Sequence, residues 1–356
     1  MYAALSSSYF STAYERVMHL YGSDDNKLSK VILDAQDDVP ELLKVKVAII
    51  GGSGLYELPG LTDKIEVEVD TAYGKPSDVI NIGKLDGVGN VAFLARHGSG
   101  HVLNPSEINY RANILALKKL GAKWILAVSA CGSLKEEIAP GNLVLIDQFI
   151  DRTVQRSATF YCNGIAAHVP FSDPICSVAK ACVAEACEEL ELKVHAAGTY
   201  VNIEGPSFST RAESEMHRSW GAHVVGMTNM TEARLAREAE ISMATIAMAT
   251  DYDAWRPDHE GVTVEEVVKT VAANAETAKK VILAALPKIV AYNGPTPPAQ
   301  KALAGGRAIL TKKEKIPDGL LIDLEPILGA YVGPQKMEII ADDEGLMTGG
   351  CVGRTP

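Results

Sequence analysis

Several short segments carry residues that could hold an anion, and each directly follows an apolar run. Gly51-Gly52-Ser53-Gly54 ends the β-branched run 45–50. Glycines there let backbone N–H groups converge on an anion because no Cβ blocks the approach, and the serine hydroxyl adds a donor. No Gly-Lys-Ser/Thr follows and the spacing is not GxGxxG, so neither a P-loop nor a dinucleotide fingerprint is present. Arg96-His97-Gly98 ends a second apolar run. Arginine is the natural bidentate partner of phosphate, and His97 and His101 could donate to the same anion. Taken singly, such segments more often mark a tight turn, or a surface ion pair with solvated imidazoles. Ser129-Ala130-Cys131-Gly132-Ser133 follows the run 124–128 with small residues that would allow backbone contacts to a ligand. Cys131 has no ordered His and Asn to activate it, so it reads as a packed small residue.

Two further segments suit a flat, polar-edged ligand. Glu204, Phe208 and Ser209 fall where a strand turns toward a helix, with Met227-Thr228 shortly after. Phe208 could stack on a base or pack in the core. In Thr250-Asp251-Tyr252-Asp253, two carboxylates follow a long apolar strand. Burial raises a carboxyl pKa, which would let one of them donate a proton.

The elements that must position these residues alternate between strand and helix. Strands are expected over 45–50, 65–69, 79–82, 91–94, 124–128, 143–146, 195–203, 223–226 and 241–250, the early ones forming a meander. Helices are expected over 105–120, 178–192, 212–220, 232–240 and 264–290. This alternation predicts an α/β fold, a mixed central sheet flanked by helices. Residues 1–44 read as an N-terminal extension, helical around 27–43, that contributes nothing to catalysis. Residues 45–292 read as the catalytic domain. Residues 293–356 read as a Pro-rich linker and a C-terminal extension with one helix near 320–331.

The chain has 356 residues with 47% apolar, enough for a sizeable core. Its formal charge of −11 argues against nucleic acid or an anionic membrane as partner. It leaves a small anion open, since a few local donors suffice for one. No apolar run is long enough to span a membrane, and the first residues lack a secretory pattern. Six irregularly spaced cysteines read as free thiols rather than a zinc site. A cytoplasmic protein with no metal is expected.

In combination the segments resemble a known family. GGSGLY, LARHGSGH, NYRANI, SACGSL, IDQFIDRT, EGPSFSTRAE, GMTNM and ATDYDAW occur in that order. They are similar to the methylthioadenosine phosphorylase branch of the trimeric purine nucleoside phosphorylases, over residues 44–289. The resemblance implies a homotrimer that needs no cofactor and uses inorganic phosphate as co-substrate. It implies that Ser53, Arg96, His97, Ser129, Ala130 and Thr228 hold the phosphate. Met227 would lie against the ribose, Phe208 and Ser209 would flank the base, and Asp251 and Asp253 would face the N7/N6 edge of the purine. His168 would approach the 5′ end from a neighbouring subunit, and Val264 and Val267 would line the 5′ pocket.

Three positions choose among relatives. The 6-oxopurine branch has Glu where this chain has Ser209, Asn where it has Asp251, and a 5′-hydroxyl-reading His where it has Val264. Asp251 can accept from a 6-amino group and, when protonated, donate to N7. A valine leaves an apolar wall suited to a thiomethyl group. The expected reaction is phosphorolysis of 5′-methylthioadenosine, assisted by Asp251. The alternatives are phosphorolysis of adenosine, inosine, guanosine or methylthioinosine, hydrolysis by water, or binding without catalysis.

Overall fold

Val47, Ala48, Ile49 and Ile50 are all inaccessible to solvent. Val47 and Ile49 join one apolar cluster and Ala48 and Ile50 another. A strand alternates its side chains between faces, so this one is covered on both, as in the centre of an α/β sheet. The computed structural model describes residues 29–256, 264–304 and 308–332. In chain order it contains β1 (Ser29–Leu33), β2 (Val47–Gly51), β3 (Thr62–Val69), β4 (Ile80–Leu85), β5 (Gly89–Ala95), α1 (Tyr110–Lys119), β6 (Trp124–Ser133), β7 (Leu143–Leu145), β8 (Gln148–Asp151), α2 (Ser177–Glu189), β9 (Val194–His195), β10 (Thr199–Asn202), α3 (Arg211–Ser219), β11 (Val224–Gly226), α4 (Asn229–Glu238), β12 (Ser242–Tyr252), α5 (Val264–Val290), α6 (Asp318–Asp323) and α7 (Glu325–Val332). The fold is the expected α/β class, with a mixed sheet and helices on both faces.

The sheet runs β1-β3-β4-β5-β2-β6-β11-β10-β8, with β12 joining β6 and β7, and β7 joining β9. β3, β4 and β5 are the anticipated antiparallel meander. β2, β5, β6 and β12 run parallel. Helices α1 and α4 pack together, as do α2 and α5.

The long strand β6 creates the site. On one side it pairs with β2 through residues 124–127, and further along with β11 through Gly132 and Ser133. Between those stretches, residues 128–131 have no strand partner on that side. A crevice where neighbouring strands part company is where open α/β sheets bind ligands.

Some local expectations differ from the structure. The segment read as a helix around 27–43 contains the edge strand β1, parallel to β3. Val31 and Leu33 point into the core at 3% and 0% exposure while Ile32 is 50% exposed. That is a period of two, and burial against the sheet overrides helix propensity. Helix α1 begins at Tyr110 rather than Pro105, because the Asn109 side chain accepts the Ala112 N–H at 3.2 Å and caps it there. Helix α4 begins three residues before the expected start. The expected strand 195–203 is two short strands, β9 and β10. Beyond the Pro-rich segment, Leu303, Leu321, Leu324 and Leu328 are buried in the same cluster as α1 and α4 residues. Glu240 ties this region down by accepting the Leu303 N–H at 2.8 Å and the Tyr331 hydroxyl at 2.7 Å.

Candidate active site

A cavity of about 290 Å³ opens in the gap beside β6. It gathers the loops that the sequence singled out. Ser53 comes from the turn after β2, and Arg96, His97 and His101 come from the loop after β5. Ser129, Ala130, Cys131 and Gly132 come from the unpaired edge of β6. Phe208 and Ser209 come from the loop after β10, Met227 and Thr228 from the turn between β11 and α4, and Asp251 and Asp253 from the end of β12.

One end of the cavity gathers hydrogen-bond donors that can hold an anion. Arg96 is 1% exposed. Its Nε and Nη2 donate to the two carboxylate oxygens of Glu232, the latter at 2.9 Å, and its Nη1 donates to the Val128 carbonyl at 2.9 Å. Of its five N–H donors, one on each terminal nitrogen is left for a ligand. Glu232 also accepts from Asn229 at 2.7 Å. A Cβ on Gly52 would lie 2.6 Å from Arg96 Nη1 and 2.7 Å from the Val128 carbonyl oxygen, so only glycine lets the guanidinium sit there. Thr228 is the N-cap of α4 yet makes no side-chain capping bond. Its hydroxyl is therefore available, at the positive end of a helix dipole. The Ser129 hydroxyl lies 3.1 Å from the buried Tyr200 hydroxyl.

His97 is held by a backbone contact. Its Nδ1 lies 2.8 Å from the Leu103 carbonyl oxygen, which can only accept, so Nδ1 carries the proton. Burial and the adjacent Arg96 charge push its pKa down to about 4. A neutral ring protonated on Nδ1 has a lone pair on Nε2. In that state the nitrogen left for a ligand is an acceptor, whereas the sequence suggested that His97 could donate. The His101 ring stacks on it at 4.2 Å.

The other end carries the two carboxylates. The β12–β6 pairing slips between Ala249 and Asp251, and such a bulge re-aims the side chain that follows it. Asp251 therefore sits within the strand rather than after it. Burial raises its pKa to about 6, opposed by the Thr250 hydroxyl donating at 2.6 Å. Asp253 is 5% exposed. Its Oδ2 and the Ser209 Oγ are buried with no hydrogen-bond partner among the described residues. Both are polar atoms that a polar-edged ligand would satisfy. Phe208 stands at the cavity wall 56% exposed. Burial pushes the Cys131 thiol up to about 12, which keeps it protonated and supports its reading as a packing residue.

His168, expected to serve a neighbouring subunit's site, does not line this chain's own cavity. His168 is exposed and lines a separate recess with Arg237 and Lys301. Its backbone N–H donates to the Ala308 carbonyl at 2.8 Å. Val264 and Val267 begin α5, but their side chains lie outside the described residues. Val271, further along α5, is in the cavity wall. Among the described residues no cluster of three or more His, Cys, Asp or Glu could hold a metal ion.

The sequence reading missed the supporting residues Tyr200, Glu232 and Arg156. Arg156 bonds Glu204 Oε1 at 3.1 Å, the Glu204 carbonyl at 2.7 Å and the Met227 carbonyl. Glu204 also accepts from the Ser106 hydroxyl and the Val154 N–H, each at 2.7 Å. It thereby ties together three loops at the cavity mouth. Although burial opposes it, the Val154 N–H and the Ser106 hydroxyl hold its pKa below the usual carboxylate value. These are lone residues in ordinary sequence context, visible only once the chain is folded.

Tyr200 supplies a direct test of the anion end. A Cβ on Gly226 would lie 2.0 Å from the Tyr200 hydroxyl oxygen. Gly226→Ala is expected to cost about 1–3 kcal/mol of stability by overpacking and to raise KM for the anion by displacing Tyr200 from Ser129. Denaturant unfolding and steady-state kinetics check both parts, and an unchanged Tm and KM would contradict this packing.

The sequence profile of the phosphorylase superfamily matches residues 46–287. The S-methyl-5′-thioadenosine phosphorylase of Koribacter versatilis is 50% identical over 297 residues, covering 83% of this chain and 99% of that protein. Among solved structures, a methylthioadenosine phosphorylase from an antarctic soil metagenomic library superposes with a TM-score of 0.75 at 45% identity, covering 80% of this chain and 99% of the other. A variant of the adenosine/methylthioadenosine phosphorylase of Schistosoma mansoni, in complex with methylthioadenosine, gives a TM-score of 0.67 at 38% identity, covering 74% of this chain and 99% of that one. No helix among the described residues is long and apolar enough to cross a membrane. By its matched profile, its relatives and its fold, the chain belongs to the phosphorylase superfamily, and within it to the methylthioadenosine phosphorylases.

Proposed function

We propose that the cavity binds inorganic phosphate and 5′-methylthioadenosine side by side and converts them to adenine and 5-methylthioribose 1-phosphate, in methionine and purine salvage. One observation carries the reading. A single cavity holds an anion cradle (Arg96, Thr228 and the N-terminus of α4) and a buried carboxyl whose pKa is raised to about 6. The names of the relatives and the methylthioadenosine bound by the Schistosoma protein support it.

In this mechanism the bond between C1′ and N9 breaks with its electron pair moving into the purine, and positive charge develops on the ribose. Asp251 donates a proton, or a strong hydrogen bond, at N7. Asp253 and Ser209 read the remaining base edge, with Phe208 stacked on its face and Met227 against the ribose. Phosphate held by Ser53, Arg96, His97, Ser129, Ala130 and Thr228 attacks C1′ and steadies the cationic sugar. The balance closes without a cofactor. Adenine gains one proton, and the phosphate loses its hydroxyl proton as the new ester becomes a dianion. Val264, Val267 and Val271 form the apolar 5′ wall. The active assembly is a homotrimer in which His168 serves the site of a neighbouring copy. The five free cysteines among the described residues support a reducing, cytoplasmic setting. Residues 45–292 carry the chemistry, while 1–44 and 293–356 are extensions.

The test is a panel of nucleosides run with and without phosphate. Base release is expected fastest from methylthioadenosine, slower from adenosine, and at least about 100-fold slower from inosine, because a polar readout rejects a mismatched edge far more strongly than an apolar pocket rejects a small group. Preference for inosine would overturn the roles of Ser209 and Asp251.

A further inference from the structure

The anion end of the cavity contains one group of the wrong polarity for a bare anion. Arg96, Thr228 and the start of α4 all offer hydrogens, while His97 offers a lone pair. The geometry that fixes this is local. Gly98 and Gly100 adopt φ of 71° and 79°, and His101, unusually for a side-chain-bearing residue, adopts 57°. The chain therefore curls back so that the Leu103 N–H donates to the His97 carbonyl at 3.1 Å. The Leu103 carbonyl in turn receives the His97 Nδ1–H at 2.8 Å. With Nδ1 committed, Nε2 is the ring nitrogen that His97 can present to the cavity it lines. Adding a second proton would place an imidazolium beside the buried Arg96 and against the stacked ring of His101, which burial and like charge both oppose.

We propose that His97 is a specificity-determining residue that accepts a hydrogen bond from the protonated oxygen of the bound anion, so that the site selects oxyanions carrying an ionisable hydroxyl and rejects dianions of similar size that carry none. The proposal rests on the reading of this end of the cavity as the phosphate site. At mildly alkaline pH the phosphate dianion keeps one hydroxyl and arsenate does the same. Sulfate and monofluorophosphate have the same charge and nearly the same shape but no proton. Against either of these, the Nε2 lone pair meets an oxygen or fluorine lone pair, and a buried acceptor is left unpaired. The same contact orients the nucleophile, because it parks the hydroxyl on His97 and leaves unprotonated oxygens to face C1′.

The experiment measures competition with phosphate at pH 7.5 by arsenate, sulfate and monofluorophosphate, in the wild-type protein and in His97→Gln. Arsenate is expected to bind within about threefold of phosphate. Sulfate and monofluorophosphate are expected to bind about 10- to 100-fold more weakly, the span of one hydrogen bond to a charged group. A glutamine amide can turn to donate or accept, so His97→Gln should weaken phosphate, strengthen sulfate and shrink the ratio to about threefold. Wild-type protein that binds sulfate and monofluorophosphate as tightly as phosphate would overturn the selectivity while leaving the phosphate site standing. An undiminished ratio in His97→Gln would overturn the role of His97. Failure of all four anions to bind would overturn the phosphate site and the selectivity together.

Discussion

Replacing Asp251 with alanine is expected to lower kcat by about 10²–10⁴-fold, the usual worth of a positioned proton donor. The fold should survive, since among the described residues Asp251 makes only one side-chain bond, to the neighbouring Thr250. The pH dependence follows from the raised pKa. A donor must be protonated, and a group titrating near 6 keeps about a tenth of its proton at pH 7, where an unperturbed Asp keeps almost none. With phosphate saturating, kcat/KM for the nucleoside should therefore decline on the alkaline side. The apparent pKa should lie at or above about 6, because a bound anion raises it further.

Stability runs the opposite way from catalysis at this residue. A carboxyl whose folded pKa is raised contributes stability that is present below its unfolded value near 4 and is lost as pH rises through about 6. Above that, ionised Asp251 opposes folding. Asp251→Asn should therefore be inactive or nearly so, yet more stable than wild type at pH 8 by about 1–3 kcal/mol. Urea unfolding at pH 8 and pH 4 checks the sign, since the advantage should vanish at the lower pH. Near-wild-type turnover in Asp251→Ala would end its assignment as proton donor.

The second large effect concerns Arg96. Arg96→Met should raise KM for phosphate by at least about 100-fold, because it removes the one fixed cation that the described residues place in the anion end and the bidentate geometry that goes with it. It also strands the buried Glu232 carboxylate, and breaking a buried pair from one side costs about 3–5 kcal/mol. Folding and binding can be separated. The double variant Arg96→Met/Glu232→Leu replaces both charges with apolar groups, and such replacements are often neutral. Its stability should return to near that of wild type while phosphate affinity stays lost. If the double variant recovers phosphate affinity along with stability, Arg96 is a structural residue and the anion is held elsewhere.

What was legible in the sequence follows from how each feature is encoded. The turn at Gly51–Gly54, the loop at Arg96 and the pair at Asp251 and Asp253 follow apolar strands directly, so chain order alone brings them to the crevice. The long helix α5 was legible end to end, Val264–Val290, because its apolar period persists over many turns. β1 was not, since five residues are too few for period-two alternation to stand out against a helical neighbourhood. Glu232 and Tyr200 were invisible for another reason. Each acts through a residue far away in the chain, Glu232 on Arg96 and Tyr200 on Ser129, and no local pattern marks such a pair. The tautomer of His97 was not legible because it depends on the Leu103 carbonyl, which a backbone turn places opposite Nδ1. The bulge at Thr250 that aims Asp251 is likewise a property of strand pairing, not of composition.

The central claim, that phosphate cleaves the nucleoside in this cavity, is tested most directly by incubating the protein with methylthioadenosine and following adenine release and the ³¹P spectrum together. The account predicts that adenine appears only when phosphate is present, and that each adenine is matched by one new sugar phosphate monoester. Adenine released at the same rate without phosphate, or with no phosphate ester formed, would contradict it.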